Sequence, residues 1–151
     1  MGLILRRTLV VGLVLLATVA LRAGDPLLTM LDPYFRIQSS LSDDKTDGVK
    51  TDAAAIAAVA KAMGDSGAPI VKAAVALEGA ADLAAARAAF SQLSDAVIAL
   101  SESTKAEAVE GMQAMYCPMT KKQWLQKGNK VSNPYYGKAM LTCGEKKKKN
   151  T

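Results

Sequence analysis

The sequence predicts a mainly α fold: an antiparallel bundle of about four helices, with a small irregular or β C-terminal module that carries both cysteines. Three observations predict it. Apolar residues recur in steps of three and four across residues 26–103. Alanine fills much of the remaining helix surface, a composition that lets helices approach closely. After Glu110 the helical period stops, and aromatics, Gly128, Gly137 and Asn133-Pro134 take over. At 151 residues and 50% apolar, the chain is one domain's worth of sequence with enough material for one core.

Residues 26–43 place Leu27, Leu31, Tyr34, Ile37 and Leu41 at helical spacing. Asp32-Pro33 reads as an N-cap followed by proline at the first helical position; a helix beginning earlier would carry Pro33 as a kink. Residues 42–50 are polar, contain Gly48 and read as a loop. Thr51-Asp52 then caps a second helix with Ile56, Val59 and Met63 on one side, ended by Gly64-Asp65-Ser66-Gly67. Pro69 opens a third helix, with Ile70, Ala74 and Leu77 inward, that stops near Gly79. Asp82 caps the most strongly periodic helix, built on Leu83, Ala86, Phe90, Leu93, Val97 and Leu100 and ending over Ser101–Thr104. Beyond it, short extended pieces and turns, including a small hairpin, are expected against the bundle end, with Trp124-Leu125 as the packing anchor.

The first 23 residues stand apart. Arg6-Arg7 precedes an apolar run from Thr8 to Leu21, and small residues follow at Ala20 and Ala23. That is the layout of a secretory signal peptide, too short for a membrane span of ~20 apolar residues. The expected organisation is a signal peptide over 1–23, a single domain over 24–145 (bundle 26–103, module 104–145) and a basic tail over 146–151. The product is then periplasmic or secreted, with no membrane span after cleavage, and its cysteines meet an oxidising compartment.

Charge is segregated. From Thr120 onward there are nine lysines and one acid; from Gly24 to Met119 there are seven basic and thirteen acidic residues. The lysine-rich end reads as a solvated tail, and the aromatics near it follow no RNA-binding signature, so no nucleic-acid partner is expected. The chain has no histidine, which removes the usual general base, the usual zinc ligand and any imidazole-based triad. A thiol without an activating base argues for binding and against an enzyme.

The only two cysteines are Cys117, in Met115-Tyr116-Cys117-Pro118-Met119, and Cys143, in Met140-Leu141-Thr142-Cys143-Gly144. They either bond to each other or share a metal. A Cys117–Cys143 disulfide would stabilise the fold by roughly 3.5 kcal/mol on the chain-entropy model.

Tyr116-Cys117-Pro118-Met119, Trp124-Leu125-Gln126, Asn133-Pro134-Tyr135-Tyr136-Gly137, Met140-Leu141 and Cys143-Gly144 together resemble the bacterial family catalogued as domain of unknown function 3347. Leu83 through Leu100, with Arg87, Phe90, Leu93 and Ser94-Asp95, fits the helical region of that family, and Leu31-Asp32-x-Tyr34 fits it more weakly. The resemblance covers most of residues 24–145. It implies an exported domain, standing alone or fused to periplasmic adaptors of heavy-metal efflux pumps, hence a periplasmic efflux component as partner and a link to copper or silver handling. Thiolate and thioether are soft ligands suited to Cu(I) or Ag(I), and Cys117, Met119, Met140 and Cys143 would supply two of each. Pro118 stiffens the link between the sulfurs of Cys117 and Met119. Met112 and Met115 would either widen the soft surface or pack as gap-fillers. The alternative is a disulfide-stapled protein-interaction domain with no metal.

Overall fold

A computed structural model describes residues 24–104 and 109–147. The signal-peptide reading of 1–23 and the end of the lysine tail lie outside those residues. Four helices come first: α1 (Pro26–Ser42), α2 (Val49–Lys61), α3 (Ala68–Glu78, entered through a 3₁₀ turn over Gly64–Gly67) and α4 (Leu83–Thr104). A small sheet follows, with β1 (Met112–Cys117), β2 (Lys122–Lys127) and β3 (Glu145–Lys146). Each helix packs on the next, and α1 also meets α4.

The expected periodicity is the observed core. Leu27, Leu31, Tyr34, Ile37, Leu41, Ile56, Ile70, Ala74, Leu77, Ala86, Phe90, Leu93 and Val97 are all buried. Helix α4 is long and apolar enough, by length and composition alone, to cross a membrane. Its apolar seam is instead spent on the core, where Phe90 stacks beside Tyr34 at 5.0 Å between ring centroids. Pro69 at the start of α3 and Asp82 at the start of α4 act as expected; Asp82 Oδ1 accepts from Ala85 N at 2.8 Å.

Two helix starts differ from the sequence reading. Helix α1 begins at Pro26, one turn and more before Asp32, because Asp25 is the cap: its Oδ1 accepts from Leu27 N at 2.9 Å. Pro33 therefore lies inside the helix, buried, and leaves the Thr29 carbonyl without its usual helical donor. Helix α2 begins at Val49 behind Gly48, whose φ of +74° only glycine adopts without strain. Asp52 does not cap; its carboxylate faces Arg36 on α1, with Nη2–Oδ1 at 2.6 Å.

The C-terminal module is more regular than its composition implies. β1 and β2 form an antiparallel hairpin from Met112↔Lys127 to Cys117↔Lys122, and β3 pairs antiparallel on the other side of β1, with Tyr116 opposite Glu145. Lys146 is thus a strand residue, and Lys147 reaches Glu102 at 3.0 Å, so the basic stretch begins as part of the sheet. Lys122 lies over the Tyr135 ring and Lys127 over the Phe35 ring, which brings two further lysines back onto the folded body.

The free edge of β2 is closed by buried phenols. Leu125 N–H donates to Tyr34 Oη at 3.1 Å, and the Tyr135 hydroxyl donates to Gln123 O at 2.5 Å. Tyr34 Oη is also 2.6 Å from Ser94 Oγ. A sheet edge offers unpaired backbone groups, and here they are satisfied by side chains of the helical body and the module's own loop. A relay of rings follows the same route: Tyr34, Phe90, Tyr135 and Trp124, each within about 6 Å of the next.

Replacing Tyr34 with Phe removes the acceptor of a buried N–H and a partner of Ser94. The expected loss is about 1–3 kcal/mol, read as a lower urea midpoint at unchanged m-value.

Candidate functional site

Cys117 ends β1, the central strand of the sheet. Its side chain is fully buried. The hairpin loop that follows, Pro118–Lys121, turns sharply enough to put Lys121 at φ +57° and to bring Lys121 N–H back onto Cys117 O at 2.8 Å. That turn sets Met119 and Thr120 beside the Cys117 sulfur, where their polar groups favour its thiolate form. Thr120 Oγ1 is shielded from solvent and has no hydrogen-bond partner in the structure.

Cys143 comes from the far end of the module. Its N–H donates to Met140 O at 3.0 Å, its carbonyl accepts from Asn133 Nδ2 at 2.7 Å, and the next residue leads into β3. Gly144 passes directly under Trp124; a Cβ there would lie 2.6 Å from Trp124 Cη2 and 3.1 Å from Val131 Cγ1. Only glycine allows that approach without displacing the indole.

These two routes converge. Cys117 Sγ and Cys143 Sγ are 3.1 Å apart across a separation of 26 residues. Both are free cysteines. The disulfide weighed from the sequence is not formed, since a bonded pair stands about 2.05 Å apart. The contact is a thiol hydrogen bond, with Cys143 half-buried and Cys117 fully enclosed.

The environment divides the pair chemically. Burial alone pushes the Cys117 thiol up. The polar groups of Thr120 first, then the Cys143 thiol and the Met119 N–H, outweigh it and bring the thiol down to about 7. Cys143 is pushed up, first by the hydrogen bond to Cys117, then by desolvation and by the negative charge on its neighbour. The two sulfurs titrate as a pair, and Cys117 is the one that gives up its proton more readily.

The methionines named from the sequence separate into two kinds. Met115 is buried in the core and Met112 packs against it, so these two are packing residues. Met119 and Met140 are exposed, 63% and 37%, each on the turn that flanks one cysteine. Among the described residues, no three cysteine or carboxylate side chains cluster as a metal site. The donors the structure brings together are the two cysteine sulfurs, which suit a soft ion of low coordination number and not a hard one.

Sequence reasoning missed the polar residues that build this site. Asn133 is fully buried: Oδ1 accepts from Tyr135 N and Tyr136 N, while Nδ2 holds Cys143 O. Gln126, also buried, accepts from Trp124 Nε1 and Ser132 N and donates to Gly128 O and Lys130 O. Gln38 and Ser42 on α1 bond to Ser132 O. The available signal was a polar residue at an inward helical step: Gln38 and Ser42 continue the stripe of Tyr34. Arg87 completes the attachment, donating to Pro134 O, Leu41 O and Asp44 Oδ1. That hydrogen bond from Arg87 holds the Asp44 carboxyl below its ordinary range. Gly137, at φ +56°, passes so close to the Asp44–Arg87 pair that a side chain there would collide with both.

In a titration followed by thiolate absorbance, the first thiolate forms with a midpoint near 7. Replacing Thr120 with Val removes the hydroxyl beside the sulfur, and the midpoint moves up toward the ordinary thiol value of about 8.5. An unchanged midpoint would contradict the role given to Thr120. Comparison of the chain with protein-family models, with curated proteins and with solved structures returns no match.

Proposed function

We propose that this chain is an exported, non-enzymatic binding domain whose Cys117–Cys143 pair takes up a soft monovalent ion, Cu(I) or Ag(I), as an accessory to metal efflux or homeostasis. The observation that carries this reading is the pair itself: two sulfurs 3.1 Å apart, one of them brought down to about 7 by the polar groups around it. Thiolate is the form that binds soft metals, and a site already deprotonated near neutral pH need not expend binding energy on releasing that proton.

The flanking methionines support the same reading. Long apolar side chains are generally buried, yet Met119 and Met140 extend into solvent from the turns that hold the two cysteines. A thioether from either would complete a three-sulfur set for an ion of low coordination number. Two thiolates on one ion stand roughly 4 Å apart, so uptake requires the sulfurs to part by about 1 Å. Cys143, half-exposed on the last turn, is the member with room to do so. The resemblance of Tyr116–Met119, Asn133–Gly137 and Cys143-Gly144 to a family fused to efflux adaptors favours a periplasmic efflux component as partner.

Reduced protein is expected to take up one Ag(I) or Cu(I) per chain in competition with a chromogenic chelator. Uptake should weaken as pH falls, because protons compete first for Cys143, whose thiol is pushed up, and below about 7 for Cys117 as well. Met119→Leu should weaken it roughly tenfold, about 1.4 kcal/mol. Uptake by the native chain no greater than that of the Cys117→Ser/Cys143→Ser variant would end the proposal.

A further inference from the structure

We propose that Cys143 is the entry sulfur and Cys117 the resolving sulfur of a thiol–disulfide exchange with an external disulfide, and that the Cys117–Cys143 bond so formed closes the soft-ion site. The second half rests on the function proposed above; the first half does not.

The order of attack follows from access. Cys117 is fully buried at the end of the central strand, flanked by β2 on one side and β3 on the other. A disulfide with bulky substituents has no route to it. Cys143 is half-exposed and sits on the module's last turn before β3. It is the sulfur that an incoming disulfide meets. The Cys117 sulfur already waits 3.1 Å behind it, about 1 Å beyond bonding distance.

The exchange balances in two steps. Cys143 sulfur attacks one sulfur of R–S–S–R; that S–S bond breaks, a Cys143–S–S–R bond forms, and one R–S leaves. Cys117 sulfur then attacks Cys143 sulfur; the mixed disulfide breaks, the Cys117–Cys143 bond forms, and the second R–S leaves. The two cysteines give up two electrons to the incoming disulfide; Cys143 passes its proton to the Cys117 sulfur 3.1 Å away as it attacks, Cys117 releases that proton in the second step to one departing R–S, and the other R–S leaves as thiolate and takes its proton from water. A bonded pair has no thiolate to offer, so the oxidised chain cannot hold an ion between these sulfurs.

Small movement is all that closure requires. Asn133 fixes the Cys143 carbonyl and Trp124 lies over Gly144, so the backbone at Cys143 is already seated beside β1. Among the described residues, the cavity between α2, α3 and α4 near Val49, Leu77 and Ala86 holds about 60 Å³ and is lined chiefly by alanine and aliphatic side chains, with no sulfur among them.

The test treats reduced protein with oxidised glutathione, quenches with acid and iodoacetamide, and reads intact mass and peptide maps. The expected result for the native chain is loss of two hydrogens, with any early glutathione adduct found on Cys143. Cys117→Ser should accumulate the adduct on Cys143, and Cys143→Ser should form one at least about tenfold more slowly. An early adduct on Cys117 in the native chain, which needs no variant to fold, would overturn the order; absence of the internal bond would overturn the exchange. Silver uptake is then measured before and after oxidation. Uptake lost on oxidation and restored by reductant supports the gate, and uptake retained by the oxidised chain overturns it. No uptake in either state would remove the metal reading and the gate together, while the masses still decide the order of exchange.

Discussion

Asn133 is the residue on which the sulfur pair depends. It is fully buried and makes five hydrogen bonds: its side chain holds Cys143 O, Tyr135 N and Tyr136 N, and its backbone holds Leu141 O and Gly137 N. A buried amide left without partners costs more than the bonds gain when made, so this arrangement is close to all-or-none. Made in full, it folds residues 133–143 into one rigid turn and returns Cys143 to the end of β1. The strand that follows is only two residues long and could not fix that register alone.

The same logic governs how the module joins the helices. The chain buries little apolar area per alanine, and the join relies on a few large side chains and on buried polar groups that are fully matched. Tyr34 and Tyr135 close the edge of β2, Gln38 and Ser42 hold Ser132, and Arg87 ties Pro134 to Leu41 and Asp44. Both tyrosine hydroxyls are pushed above their ordinary pKa, primarily by burial, which keeps them neutral hydrogen-bonding groups at any physiological pH. The module is thus seated by directional contacts, and its sulfur site inherits that definition.

The fold was legible wherever periodicity decided it. Leu27 through Leu41 and Leu83 through Val97 announce their buried faces, and Pro69 and Asp82 mark true helix starts. Asp32 and Asp52 misled because an acid before a helical run serves equally as a cap or as an ion-pair partner; Asp25 and Gly48 hold those starts, while Asp32 meets Lys127 and Asp52 meets Arg36. Of the site, the two cysteines were visible beside Met119 and Met140 as candidates, but the distance between the cysteines was not, because it is set by contacts of long sequence separation. Thr120 was invisible for a different reason: a threonine in a hairpin loop has no pattern, and its role appears only when the turn sets it beside Cys117. Lys146 and Lys147 looked like the start of a tail because a two-residue strand carries no alternation to read.

The central claim is that Cys117 and Cys143 are neighbours in solution as reduced thiols, and a trivalent arsenical tests it most directly because one arsenic must bridge two adjacent sulfurs. The account predicts one phenylarsine bound per reduced chain, joined to both cysteines and lost in either single Cys→Ser variant. Two thiols that alkylate independently and bind no arsenical would contradict it.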